Sequence, residues 1–400
     1  MAYSNKFKKK ISAILDNFFT IETNYFTVGG FKKNLLFFLK KGNIVAHIID
    51  RIKFQYYPKF LQSASFPTHL EVEAASKCQM KCPMCWTTYM KEDLKGIMKM
   101  DLYKKIIDEA SANNTFSIKL SWRGEPMLNP NLMEMIKHAK KKGIKHVAFL
   151  TNAELLTKKR CHELLDSGCD WISVSADGTD DTYNKIRFPA KFDETVEKIK
   201  YLKKIRDENK LTKPLIRVQS ILTAVENNSE KFYKTWSGIA DKINIIADQI
   251  RNYETNESKI EYNEYFLCPK AFQRLAIAHD GKVHQCISDY YGKNILGDIN
   301  FQTIKEVWNG EPNKKLRKSF KKHTFLKENE ACRQCSYAFA QEKSKLTKLI
   351  DGLSVRIRKY KSVSDIVKDG SVTLETPEKL IPSNKVEEYK KILNKTNIKK

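Results

Sequence analysis

Four hundred residues, 41% hydrophobic and 30% charged, suffice to bury one large or two ordinary cores, which excludes a disordered polar tract. The formal charge of +25 is uneven: residues 1–60 carry eleven Lys and Arg against three Asp and Glu, and residues 341–400 carry fifteen against eight. Basic ends attract phosphate, nucleic acid or anionic lipid, but no aromatic-interleaved basic motif accompanies them, so a solvated lysine-rich surface is expected and nucleic acid is not an expected partner.

The chain opens on a predicted helical extension, residues 1–67. Ile11, Ile14, Leu15, Phe18 and Phe19 form one apolar stripe, and Ile44, Val45, Ile48, Ile49 and Ile52 form another. Such stripes either pack as a collar on their own domain or lie on a membrane surface; the collar is the expectation. Ser12, Asp16 and Asn17 interrupt any export-signal core, and no run approaches the roughly 18 apolar residues of a membrane span. Nine cysteines without an export signal point to thiolate chemistry in a reducing, cytoplasmic compartment rather than to a disulfide framework.

From residue 68 short strands alternate with amphipathic helices. The predicted strands are Leu70–Ala74, Ser117–Trp122, His146–Thr151, Trp171–Ser175, Leu215–Leu222 and Ile243–Asp248; helices are predicted over 101–113, 131–142, 157–167, 192–209 and 229–240. This alternation predicts parallel pairing through right-handed crossovers, an α/β fold in the form of an incomplete (βα)6 barrel over 68–255. In that architecture functional residues sit at the C-terminal ends of strands. A smaller α+β unit follows at 262–340. It opens on a predicted hairpin, Ala276–His279 and Lys282–Cys286, joined by Asp280-Gly281. Residues 341–400 read as a basic tail with a helix carrying Leu346, Leu349, Ile350 and Leu353.

Directly after the first barrel strand stands Cys78-Gln-Met-Lys-Cys82-Pro-Met-Cys85. Three soft thiolates within eight residues can converge on iron–sulfur or zinc. Structural zinc takes four ligands, and no fourth is close in sequence, the nearest His being His69. A four-iron cluster on three cysteines leaves one iron open. The segment resembles the Cys-x3-Cys-x2-Cys signature of the radical S-adenosylmethionine (SAM) superfamily, with Met84 where an aromatic is often found and Trp86 close behind.

Other strand ends extend the resemblance. Trp122-Arg123-Gly124-Glu125-Pro126 is similar to the Gly-Gly-Glu-Pro segment whose backbone receives the SAM ammonium, with Arg123 replacing the first Gly. Thr151-Asn152-Ala153 is similar to the family's Thr-Asn-Gly. The resemblance implies that Ser175 contacts the SAM ribose and Arg187 its carboxylate, giving Gly124, Glu125, Pro126, Asn152, Ser175 and Arg187 as the SAM contacts.

Cys268, Cys286, Cys332 and Cys335 form a second set, which suits zinc or a fully ligated iron–sulfur cluster. Its pattern, with Gly297-Asp298-Ile299 and Val307-Trp308, resembles the SPASM/twitch domain that follows many radical SAM barrels and implies one auxiliary four-iron cluster. Cys161 and Cys169 read as buried structural thiols; His279 and His284 flank the hairpin and are expected at surface strand positions, with facing the substrate as the alternative.

The resemblance implies reductive cleavage of SAM to a 5′-deoxyadenosyl radical, fed by flavodoxin or ferredoxin. The expected outcome is two-electron oxidation or other modification of a small molecule or sugar derivative. A ribosomal peptide substrate is the alternative, weakened because residues 1–67 look too short and too helical for a peptide-binding domain of about 80 residues. A non-catalytic iron–sulfur interaction protein is the third reading. No residue in the pattern names itself as the proton acceptor.

Overall fold

A computed structural model describes residues 25–28, 44–221, 224–225, 228–246, 266–333, 335, 347–348, 354–355, 387–388 and 390–392. Six parallel strands run in chain order across one sheet: β2 (His69–Val72), β3 (Ser117–Lys119), β4 (His146–Thr151), β5 (Trp171–Ser175), β6 (Leu215–Ile221) and β7 (Lys242–Ile246). The sheet does not close on itself, as the incomplete barrel requires. One side of each strand is apolar because helices cover it; Leu70, Ile118, Phe149, Ile172 and Val218 are essentially inaccessible. The covering helices bury a single stripe each. In Met100–Ala112 it is Tyr103, Ile106, Ile107 and Ala110, and in Phe192–Glu208 it includes Val196, Ile199 and Leu202. Each such aliphatic side chain contributes about 2 kcal/mol by burial.

Both edges of the sheet are occupied, so no central-type strand is left unpaired. At one edge β1 (Tyr25–Val28) runs antiparallel to β7. The N-terminal extension, read from sequence as helical, therefore contributes a strand. At the other edge β8 (Arg274–Ile277) pairs parallel to β2, and β9 (Lys282–His284) and β10 (Ile295–Asp298) follow antiparallel. The predicted hairpin forms, with Gly281 at φ +96° in its turn, and its sheet is continuous with that of the barrel. The smaller unit is thus anchored strand to strand beside the first cysteine loop.

Helix α1 (Ile44–Lys59) packs on the N-terminal edge of the sheet, but not through the predicted stripe. Phe54 meets the His69 ring edge-on at 6.3 Å and lies under the Arg274 guanidinium at 4.8 Å. Val45, Ile48, Ile49 and Ile52 face outward, 70, 45, 50 and 50% exposed. The helix docks through Phe54 while Val45, Ile48, Ile49 and Ile52 point away from the barrel, so the expectation that this stripe packs as a collar is not met. The Ile11–Phe19 stripe lies outside the described residues. So do Leu346, Leu349, Ile350 and Leu353; within the helix expected there, Thr347–Lys348 is strand and pairs antiparallel with Ser354–Val355. No helix among the described residues is long and apolar enough to cross a membrane.

Candidate active site and auxiliary metal centre

The Cys78–Cys85 loop leaves the C-terminal end of β2 and is fixed from three sides. Asn129 donates to the carbonyls of Ala74, at 2.9 Å, and Met98, at 3.1 Å. Thr88 Oγ1 donates to the Cys82 carbonyl at 2.8 Å, and the Lys81 amide donates to the Phe188 carbonyl at 2.8 Å. The Glu125 amide donates to the Lys77 carbonyl at 2.8 Å, which presses the Gly-Glu-Pro segment against the loop. Gly124 is required there. A Cβ at that position would lie 2.4 Å from the Lys77 carbonyl oxygen and 2.5 Å from that of Ala75.

Burial pushes the Cys78 thiol up, with Cys85 and Cys82 adding like charge, and pushes Cys82 up to about 12 against the opposing pull of Arg187. Thiols raised in this way ionise more readily with a cation beside their sulfurs, a condition that a bound metal cluster would meet. Polar hydrogens already face the sulfurs: Asn152 Nδ2 lies 3.7 Å from Cys78 Sγ, and Arg187 Nη1 lies 3.9 Å from Cys82 Sγ.

The expected SAM contacts gather at the same strand ends. Arg187 is half-buried and pairs with Asp177, whose charge holds the guanidinium protonated although desolvation opposes it. Arg187 Nε is buried with no partner among the described residues. The Ser175 hydroxyl, half-buried at the end of β5, also has no partner among them. Glu125 turns inward. Its carboxylate accepts from Thr151 Oγ1 at 2.8 Å, the Asn152 amide at 2.7 Å and the Met127 amide at 3.2 Å, ties β3 to β4, and is raised by burial to about 7. Pro126 opens the short turn Pro126–Leu128 behind it. Ala153 sits at φ +63°, which explains why the family pattern has Gly at that place.

The second set of thiols has a different setting. Cys268, Cys286, Cys332 and Cys335 line one cavity, walled by Phe266, Leu316, Phe320 and Phe325. Burial raises Cys268 to about 12 and raises Cys286 and Cys332 as well, with Lys270 opposing at the first two. Gln285 Nε2 donates to Cys332 Sγ at 3.0 Å, and the Ser288 amide to Cys286 Sγ at 3.3 Å. Cys161 and Cys169 are buried away from both sets, as expected.

Between the two sets lies a polar cluster around Glu73, a residue the sequence did not single out. Glu73 is buried and takes both a bidentate pair from Arg123, at 2.6 Å each, and a contact from His279 Nδ1 at 3.2 Å. His284 is buried too; its ring meets the Trp122 edge at 4.7 Å and its Nδ1 reaches the Asp289 carbonyl at 2.8 Å. Neither histidine is a surface position of the hairpin. The available signal was Glu71 and Glu73 in an otherwise apolar strand, charged side chains two apart on one face.

Comparison with known proteins agrees with this geometry. The radical SAM superfamily profile matches residues 72–220, and that of SPASM, an iron–sulfur cluster-binding domain, matches 268–336. Over 157 residues, 39% of this chain and 44% of the relative, the chain is 34% identical to the tungsten-containing aldehyde ferredoxin oxidoreductase cofactor-modifying protein of Pyrococcus furiosus. Over 120 residues, 30% of this chain and 31% of the relative, it is 27% identical to PqqA peptide cyclase of Bradyrhizobium diazoefficiens. These matches span less than half the length of either relative. Among solved structures, BtrN in complex with AdoMet and 2-DOIA superposes with a TM-score of 0.46 at 20% identity, over 67% of this chain and 92% of that one. The chain carries a radical SAM superfamily domain followed by a C-terminal SPASM iron–sulfur cluster-binding domain.

Proposed function

We propose that Cys78, Cys82 and Cys85 hold a four-iron cluster open to SAM, that Cys268, Cys286, Cys332 and Cys335 hold one auxiliary four-iron cluster, and that the enzyme oxidises a small molecule or sugar derivative by two electrons. When bound, the first cluster supplies the electron that splits SAM into methionine and a 5′-deoxyadenosyl radical, which takes a hydrogen atom from the substrate. The chain's own part is binding and orientation. Arg187, charged and with Nε unpaired, takes the SAM carboxylate; Ser175 takes the ribose; Gly124 lets backbone carbonyls approach the ammonium, while Glu125 and Pro126 hold that segment in place and Asn152 orients the Cys78 sulfur. The auxiliary set has four thiols and none to spare in an apolar cavity, which suits an electron acceptor rather than a substrate-binding iron.

The observation that carries this reading is the buried, unpaired Arg187 Nε beside the three-cysteine loop at the strand ends. A second reading, modification of a ribosomal peptide, is supported by the 27% identity to PqqA peptide cyclase. The test is anaerobic reconstitution, with flavodoxin, ferredoxin or dithionite as electron donor. Two four-iron clusters give close to eight irons per chain and reductant-dependent 5′-deoxyadenosine. One zinc beside four irons would overturn the auxiliary assignment. A substrate screen of sugar derivatives against short peptides, read by product mass, separates the two readings.

A further inference from the structure

We propose that Arg123 and Trp86 are positioning residues that fasten the auxiliary ligand loop directly to the SAM-site ligand loop and so fix where the two clusters stand relative to each other. The inference rests on the two-cluster reading above.

The loop from Cys286 to Tyr291 leaves β9 carrying one auxiliary thiol, and four of its five other residues are held from outside it or from β9. Trp122 Nε1 donates to the Ile287 carbonyl at 2.7 Å. His284 holds the Asp289 carbonyl at 2.8 Å. Arg123 Nη1 donates to the Tyr290 carbonyl at 2.8 Å. The Trp86 ring stacks on Tyr290 at 5.1 Å and meets Tyr291 edge-on at 5.2 Å. Trp86 is bonded to Cys85, so this stack joins a residue next to one cluster ligand to a residue four beyond another.

Arg123 is the centre of the contact. Its guanidinium lies on the Trp122 ring at 4.4 Å, is bidentate to Glu73, and uses its remaining donor edge on the loop. Its side chain is 3% exposed. A buried bidentate pair has one geometry, and an arginine that also donates to a third group cannot rotate without breaking all of them. This is the position where the family pattern has glycine, which could make none of these bonds. Arg123 touches neither set of sulfurs, so it acts through the loop.

The clean variant is Arg123→Lys. Lysine keeps a positive charge on Glu73 but cannot at once reach Glu73, lie flat on Trp122 and donate to Tyr290. Tyr290→Ala removes the stack from the auxiliary side and leaves the barrel untouched. Both are made in the full chain and reconstituted with iron and sulfide. Hydrogen exchange of the amides in 287–294 should quicken by about tenfold in each. Dithionite-reduced wild type should show the line broadening and fast relaxation of two neighbouring electron spins by paramagnetic resonance. Each variant should retain close to eight irons yet lose that coupling. Wild-type exchange and wild-type spin coupling in both variants would overturn the clamp. Fewer than eight irons in the wild type would instead overturn the two-cluster reading on which it rests.

Discussion

The two sets of thiols are built in opposite ways. The first is presented by one loop at the open end of the sheet, among Arg187, Asn152, Ser175 and the Gly124 backbone, a polar setting with unmatched hydrogen-bonding groups. The second is gathered from three separated segments into an apolar cavity, and its sulfurs meet one side-chain amide, from Gln285. Polarity separates the tasks. A site that must admit a zwitterion needs groups held ready for it, whereas a site that only stores charge is better kept dry. The sharpest way to break this comparison is to delete each set. Replacing Cys78, Cys82 and Cys85 by Ala should abolish dithionite-driven 5′-deoxyadenosine, a loss of at least about a thousandfold in rate. Replacing Cys332 and Cys335 should leave cleavage but uncouple it from product. Deoxyadenosine from the first variant would end the proposal.

The contact between the two sites supplies the next largest effect. Burial alone would raise Glu73, but the hydrogen bonds from Arg123 and His279 outweigh it and hold the carboxyl at about 2, against an ordinary value of 4.5. A depressed carboxylate contributes stability that is complete above pH 4.5 and is lost as pH falls through 2. The contribution is about 3 kcal/mol. Glu73→Gln should therefore be less stable than wild type at neutral pH, and the gap should narrow steadily in acid. Urea titrations at a series of pH values measure it, and a gap that does not change with pH would mean the carboxyl is not depressed.

Much of this arrangement was legible in the sequence because it is local. The strands His146–Thr151 and Trp171–Ser175 were read to the residue from apolar runs bounded by turns. The seven cysteines proposed as ligands stand out by spacing, and Gly124 by its place after a strand. What the sequence hid depends on distant partners. Glu73 meets His279 across 206 positions, and β8 joins β2 in register although the alternation of strand and helix has ended by then. The stripe from Val45 to Ile52 has helical period whether it faces in or out; only the barrel's choice of Phe54 as the docking residue decides, and that choice involves His69 and Arg274.

A smaller effect probes the sulfurs themselves. Gln285 Nε2 donates to Cys332 Sγ at 3.0 Å, closer than Asn152 Nδ2 stands to Cys78 Sγ, at 3.7 Å. A hydrogen bond to a ligating sulfur favours the more negative, reduced state of a cluster. Gln285→Leu should lower the potential of the auxiliary cluster and leave that of the SAM-site cluster unchanged, read by spectroelectrochemical titration. Equal shifts at both would show that the residue acts on the whole fold rather than on one sulfur.

The smallest effect concerns the backbone. In the auxiliary unit the left-handed positions of the hairpin turn and the cysteine loop are glycines, Gly281 at φ +96° and Gly292 at +70°, whereas the SAM site puts Ala153 at +63°. An alanine there carries roughly 1–2 kcal/mol of strain. Replacing a buried Ala by Gly ordinarily loses about 0.8 kcal/mol for the methyl and about 0.7 kcal/mol in chain entropy. At Ala153, fully buried, the relief of strain cancels that loss, so Ala153→Gly should stay within about 0.5 kcal/mol of wild type. Ala110, equally buried but in a helix, has no strain to release, and Ala110→Gly should cost about 2 kcal/mol. The two variants differ chiefly in the backbone conformation of the residue replaced, strained at Ala153 and relaxed at Ala110. Parallel denaturant titrations of the apo chain compare them directly, and equal costs would mean that the Thr-Asn-Ala turn is not strained and that the SAM site is as relaxed as the auxiliary one.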